Sequence, residues 1–203
     1  GNLWIGTEGG GLNYYNRRTR EFKWYRPQEG RNSISHNNVK ALYYDADKEI
    51  IWIGTHLGGL NKLDIRSGHF THYRMEEGNP NTLPSDIIRD IIPYKSLLII
   101  ATQNGVCLFD PANGQCQQLF KDSKEGKSIK MVADVTFDSE GTLWIAATGE
   151  GVFSYRFDTC RLTNYRHDAT NPNSLSNNNV NNITQDSKGN LWFSTSGSGL
   201  DLY

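Results

Sequence analysis

A phrase of fourteen residues is written twice nearly unchanged, LWIGTEGGGLNYYN at 3–16 and IWIGTHLGGLNKLD at 51–64, and returns in altered form at 98–110, 143–156 and 191–203. Self-similarity at a fixed period constrains a fold more than any single residue does. Aligned on its tryptophan, the phrase falls at Trp4, Trp52, Ile99, Trp144 and Trp192, with spacings of 48, 47, 45 and 48 residues. The period, rather than the length of 203 residues, sets the domain organisation.

Each unit carries four short segments with the alternation or clustering of β-branched and aromatic residues that marks strands. The first is VKALYYD at 39–45, matched at 88–94, 132–138 and 180–186. It runs into an acidic turn, DSEG at 138–141 and DSKG at 186–189, whose glycine supplies the positive φ of a tight hairpin. The second segment is the tryptophan strand. Its near-continuous apolar character predicts burial on both faces, with Trp4, Trp52, Trp144 and Trp192 in the core. The third opens at Gly11, Gly59, Gly105, Gly151 and Gly199, a position that needs positive φ or is closely approached by a neighbour. The fourth, FKWYR, FTHYR, CQQLF and LTNYR, alternates like a half-exposed outer strand.

Four antiparallel strands repeated every 47 residues or so predict an all-β chain, a β-propeller of four-stranded blades. Residues 1–203 read as a single propeller segment of four to five blades. The first unit starts at a second strand and the last stops at a third, which gives eighteen strands and no whole number of blades. The expectation is an arc cut from a larger, seven-bladed propeller, with a five-blade ring as the alternative. An arc exposes apolar blade faces, so it is expected to self-associate or to pair with the remainder of its propeller.

Charge narrows the partners. Lys and Arg total 21 against 22 for Asp and Glu, a net charge of -1, with no basic footprint for nucleic acid or anionic membrane. No apolar run reaches the roughly 18 residues of a membrane-spanning helix, so no direct membrane insertion is expected of this segment. The three cysteines, Cys107, Cys116 and Cys160, are too few and too uneven for a disulfide framework or a zinc site and read as small side chains. A Cys107–Cys116 bridge across a hairpin is the alternative. Asp45, Asp47 and Asp201 lack the rest of a calcium loop and read as turn acids. No metal and no cofactor are expected. No nucleophile, metalloprotease or phosphate-loop motif appears, so no catalytic residue is assigned.

The residues carry a family resemblance. LWIGT with its glycine-rich turn, GLN followed two residues on by Asp, and NPNSLSNNNV at 171–180 leading into the D-x-x-G turn resemble the two-component regulator propeller repeat. The inter-blade signature recurs as NSISHNNV at 32–39 and NTLPSDII at 81–88. The stretch 121–131 is shorter and Ile99 replaces the tryptophan, which weakens that junction as a ligand contributor. The resemblance implies the periplasmic sensor region of a Bacteroides-type hybrid two-component system, recognising glycan fragments and signalling to a histidine kinase outside this segment.

In a propeller, the loops between second and third strands share one face with the connections between blades. The first set offers Glu8, His56, Gln103, Glu150 and Ser196; the second spans 26–38, 74–87, 121–131 and 166–179. Long loops on a rigid scaffold carry recognition. Glu8, His56, Gln103 and Glu150, with His36, Asn38 and Asn178, are therefore the candidate contacts to an oligosaccharide. Against this, exposed acids and imidazoles are common in solvated turns, and short amides cap turns through local backbone bonds. Trp24, on an outer strand far from that face, is expected to pack. The expected function is a non-catalytic extracytoplasmic sensor; the alternatives are a protein-interaction propeller and a propeller lyase or hydrolase fragment.

Overall fold

The computed structural model describes residues 1–123 and 125–203; residue 124, inside the 121–131 connection, lies outside them. Among the described residues eighteen strands form five sheets, each built from consecutive strands in chain order. The first sheet holds β1 (Leu3–Thr7), β2 (Gly11–Asn16) and β3 (Glu21–Tyr25). The second holds β4 (Val39–Asp45), β5 (Ile50–Thr55), β6 (Leu60–Asp64) and β7 (Phe70–Tyr73). The third holds β8 (Ile88–Tyr94), β9 (Leu97–Thr102), β10 (Gly105–Phe109) and β11 (Cys116–Gln118). The fourth holds β12 (Val132–Phe137), β13 (Leu143–Ala147), β14 (Gly151–Arg156) and β15 (Arg161–Tyr165), and the fifth β16 (Val180–Gln185), β17 (Leu191–Thr195) and β18 (Gly199–Leu202). The short 121–131 connection contains a 3-10 turn at Gly126–Ser128.

Register repeats with sequence. Trp4 pairs with Tyr14, Trp52 with Lys62, Trp144 with Ser154 and Trp192 with Leu202. The strand before the tryptophan strand bulges at the same point each time, at Val39/Ala41, Val132/Asp134 and Val180/Asn182. Such a bulge bends the inner strand and increases its twist.

The chain divides into two compact units, Gly1–Ile100 with Cys107–Gln117, and Ala101–Val106 with Gln118–Tyr203. In the first unit the two faces of β5 enter different cores. Ile51 and Ile53 pack with Leu12, Ile34 and Leu63, whereas Ile50 and Trp52 pack with Ile88, Ile100 and Phe109. Period-two alternation with apolar residues on both faces gives this central layer. In the second unit Trp144 and Ala146 pack with Val180, Ile183, Leu191 and Phe193.

Two burial expectations are corrected. All of β5 and β13 is buried, but Trp4 and Trp192 are only half-buried. Along β17, Leu191, Phe193 and Thr195 are buried and Trp192 and Ser194 are not, so only one face is covered. In β1, Trp4 faces the core while Leu3 and Ile5 face solvent. Trp24 does not pack; it is 65% exposed on the edge strand β3.

All five strand-opening glycines have positive φ, and at Gly11, Gly59 and Gly151 a neighbouring backbone also approaches closely. Gly59 and Gly151 have φ of 69° and 81°, and a Cβ on either would collide with the carbonyl oxygen of Tyr73 or Tyr165. Opposite them, Thr55 Oγ1 donates to the Gly59 carbonyl at 2.9 Å, as Thr7, Thr102 and Thr195 do in their own turns. The GT and G of the repeated phrase thus close one turn.

Candidate functional site

Within each unit, the turns after the tryptophan strands and the connections between sheets meet at one end of the strands. The carbonyls of Asn37, Asp86 and Asn178 accept the N–H of Gly11, Gly59 and Gly151 at 2.8, 2.9 and 3.0 Å. His56 N–H donates to the Asn38 carbonyl at 2.9 Å, and Ser196 N–H to that of Asn179 at 2.8 Å. One position earlier in the signature lies a cap: His36 Nδ1, Ser85 Oγ and Asn177 Oδ1 accept the N–H of Asn38, Ile87 and Asn179. Local bonds of this kind hold a turn in place of regular ladder pairing.

The side chain at the next position ties down the end of the outer strand. Asp86 Oδ1 accepts the N–H of Met75, and Asn178 Oδ1 that of His167, each at 2.8 Å. Asn37 occupies the same place, but the residue that should donate is Pro27, which has no N–H. Its Oδ1 is buried and has no partner among the described residues. Charge completes the face in each unit. Arg74 reaches the Leu57 carbonyl and Asp86 Oδ2, both at 3.3 Å. Arg166 pairs with the Glu150 carboxylate and reaches the Gly149 carbonyl at 3.3 Å.

The sequence candidates therefore divide. In the first unit Glu8, His36, Asn38 and His56 lie on this end, with Glu8 exposed and paired to Lys40 at 3.3 Å. His56 is half-buried, with Nδ1 buried and unpartnered among the described residues. In the second unit Gln103, Glu150 and Asn178 lie on the corresponding end, where the Gln103 carbonyl accepts Met131 N–H at 2.6 Å. The polar atoms of His36 Nδ1 and Asn178 Oδ1 are spent on backbone, while the carboxylates of Glu8 and Glu150 are held by cations at a partly exposed surface. Among the described residues no three of His, Cys, Asp and Glu converge as metal ligands.

A second feature was not read from the sequence. At the opposite end of β13–β15, the second unit has a cleft of about 690 Å³, with Trp144, Tyr165 and Tyr203 among its lining and Thr163, Arg161 and Lys188 at its polar side. Trp144 and Tyr165 pack against Tyr203 with centroids 5.1 and 5.3 Å away. The first unit has a cleft of about 550 Å³ in the same register, lined by Trp4, Tyr14, Lys23, Tyr25, Tyr44 and Glu49. In both clefts aromatic rings stand beside polar side chains, and in the second unit polar and charged residues, Asp138, Glu140 and Arg156 among them, make up most of the lining. The available signal was that Lys23 and Thr163 each stand two residues before the tyrosine ending the outer strand, beside the repeat tryptophan.

Residues 33–56 and 174–197 match the two-component regulator propeller family. Each of these two stretches carries a two-component regulator propeller repeat. Each matched stretch runs from the signature loop through the tryptophan strand and so includes the cap at His36 with the backbone bond to Asn38, or the cap at Asn177. Glu8, Gln103 and Glu150 lie outside the matched stretches. Among curated proteins no sequence match is found.

Solved structures resemble these repeats closely in shape. The extracellular domain of the hybrid two component system BT4673 from B. thetaiotaomicron superposes with a TM-score of 0.79 at 22% identity, over 99% of this chain and 25% of that one. That of BT3049 from the same organism gives 0.68 at 24%, over 99% and 31%. A catalytically inactive virginiamycin B lyase from Staphylococcus aureus, solved with quinupristin, gives 0.68 at 13%, over 100% and 66%. The repeats thus have the β-propeller fold. The chain spans about a quarter to a third of the length of the hybrid-system domains it matches.

Proposed function

We propose that this chain is part of the extracytoplasmic sensor propeller of a hybrid two-component signalling receptor, that it binds an oligosaccharide without catalysis, and that a histidine kinase elsewhere in the receptor receives the signal. The observation that carries the reading is the match of two separate stretches, 33–56 and 174–197, to the two-component regulator propeller. The likeness in fold to extracellular domains of hybrid two component systems is consistent with it. No helix among the described residues is long and apolar enough to cross a membrane. A periplasmic setting follows from the reading.

A ligand seat is assigned within each unit by itself: to Glu8, His36, Asn38 and His56 in the first and to Gln103, Glu150 and Asn178 in the second. Partly exposed carboxylate, imidazole and amide groups accept from and donate to sugar hydroxyls. A second seat is favoured by one observation: the cleft beside Trp144 and Tyr165 offers ring surface in a hollow of about 690 Å³.

Calorimetric titration of the receptor region with a panel of glycan fragments tests both. Saturable binding that Glu8→Ala and His56→Ala weaken about tenfold supports the loop-end site, a loss of about 1.4 kcal/mol. Weakening by Arg161→Ala and Thr163→Ala instead moves the ligand to the cleft. Absence of glycan binding together with capture of a defined protein partner replaces the reading with an interaction propeller, and turnover of a fragment replaces it with an enzyme.

A further inference from the structure

Two of the chain's three cysteines meet inside the third sheet. Cys107 on β10 and Cys116 on β11 are buried, and their sulfurs stand 3.1 Å apart. Both positions have different occupants elsewhere. The place of Cys107 is taken by Asn13, Asn61, Phe153 and Asp201, of which Asn61 and Asp201 accept the N–H of Ser35 and Ser176 at 2.8 and 2.9 Å. In the third repeat the corresponding signature residue is Pro84, which offers no N–H, so position 107 needs no acceptor. The place of Cys116 is taken by Phe22, Phe70 and Leu162. A polar and an apolar requirement thus lapse together in one repeat, and both positions become cysteine.

We propose that Cys107 and Cys116 are joined by a cross-strand disulfide in the mature protein. A disulfide needs its sulfurs at about 2.05 Å, so the pair has to close by about 1 Å, within the reach of side-chain rotation between neighbouring strands. The chemistry is two-electron oxidation. Both S–H bonds break, one S–S bond forms, and two protons and two electrons pass to a small-molecule disulfide such as oxidised glutathione, which leaves as two thiols. Burial pushes the Cys107 thiol well above its ordinary range and the neighbouring sulfur adds to this, so the folded dithiol attacks slowly; the bond forms while β11 is still accessible and is shielded afterwards. The bridge also has structural work. At three residues β11 is the shortest strand among the described residues, and beyond its place in the sheet its start is held by the bond from Cys116 N–H to the Asn81 carbonyl at 2.8 Å. A covalent tie between 107 and 116 keeps that outer strand on its sheet.

The proposal does not rest on the sensor reading, because the test needs no ligand. The reduced, denatured chain is folded in a glutathione redox buffer, denatured again without reductant, alkylated and mapped by mass spectrometry. The expected result is one alkylated cysteine, Cys160, which is exposed, and a peptide pair linked through 107 and 116 that separates on reduction with a gain of about 2 Da. A Cys107→Ser variant should leave Cys116 and Cys160 both alkylated, and in the unsubstituted protein reduction should raise proteolytic cleavage around 110–121. Alkylation of all three cysteines after folding, or a link that includes Cys160, overturns the proposal.

Discussion

Asp186 Oδ2 accepts the indole N–H of Trp192 at 3.0 Å, and Asp138 makes the same bond to Trp144 at 2.7 Å. The acidic hairpin turn is therefore anchored to the strand that follows it. Asp186 Oδ1 also takes the N–H groups of Lys188 and Asn190, so one carboxylate organises the whole D-x-x-G turn.

These bonds set a pH dependence. Hydrogen bonds, first of all from Trp192 and then from Asn190, lower the Asp186 carboxyl to about 2. The unfolded value is about 3.9, so the stabilisation is complete above that pH and disappears as pH falls toward 2. Stability at pH 2.5 to 4 should drop more steeply in the unsubstituted protein than in Asp186→Ala, which has no carboxylate to protonate. Urea midpoints across that range check this; parallel slopes would deny Asp186 the role.

Gly59 and Gly141 separate two reasons for glycine. Both have positive φ, 69° and 78°, but a Cβ at 59 meets the Tyr73 carbonyl and one at 141 meets nothing. Gly141→Ala should cost about 1 kcal/mol, the left-handed strain alone. Gly59→Ala should cost about 3 kcal/mol, because backbone must shift as well. Chemical denaturation of the two variants measures the difference.

Asn178 and Asn37 share a place in the signature but not a bond. Asn178→Ala should cost about 1 kcal/mol by freeing the His167 N–H. Asn37→Ala should change stability by less than about 0.5 kcal/mol, since Pro27 donates nothing to its Oδ1. Equal losses in the two variants would show that Asn37 has another role.

The two kinds of tryptophan should behave oppositely. Trp52 is 1% exposed and in edge contact with Phe109 at 5.4 Å, so Trp52→Ala should cost about 3–5 kcal/mol. Trp24 is largely exposed, and Trp24→Ala should stay within about 0.5 kcal/mol while removing red-shifted fluorescence. Thermal melts with emission spectra distinguish them.

How much of the candidate site could be read from the sequence follows from what its signature residues do. His36 and Asn178 attract attention as polar residues in long loops, yet Nδ1 of one and Oδ1 of the other are consumed by backbone N–H groups. A short side chain that caps a turn and one that meets a ligand are the same letter. The clefts escaped for the converse reason: Thr163 and Lys23 are ordinary outer-strand residues, and only the paired register of their own sheets sets them in line with a tryptophan, across Ser154 and Tyr14.

By itself the sequence determined the strands, their order in five sheets and the turns between them, because period, alternation and the demand for glycine at positive φ are local properties. It also placed the two loop sets on one end, since antiparallel order alone decides which hairpins coincide. The tertiary structure decided which of the repeated tryptophans are buried, that Trp24 is not, that Pro27 leaves the Asn37 side-chain Oδ1 without a donor, and that Cys107 and Cys116 touch. Burial and contact depend on what each sheet face meets, and residues far apart in the chain supply those neighbours.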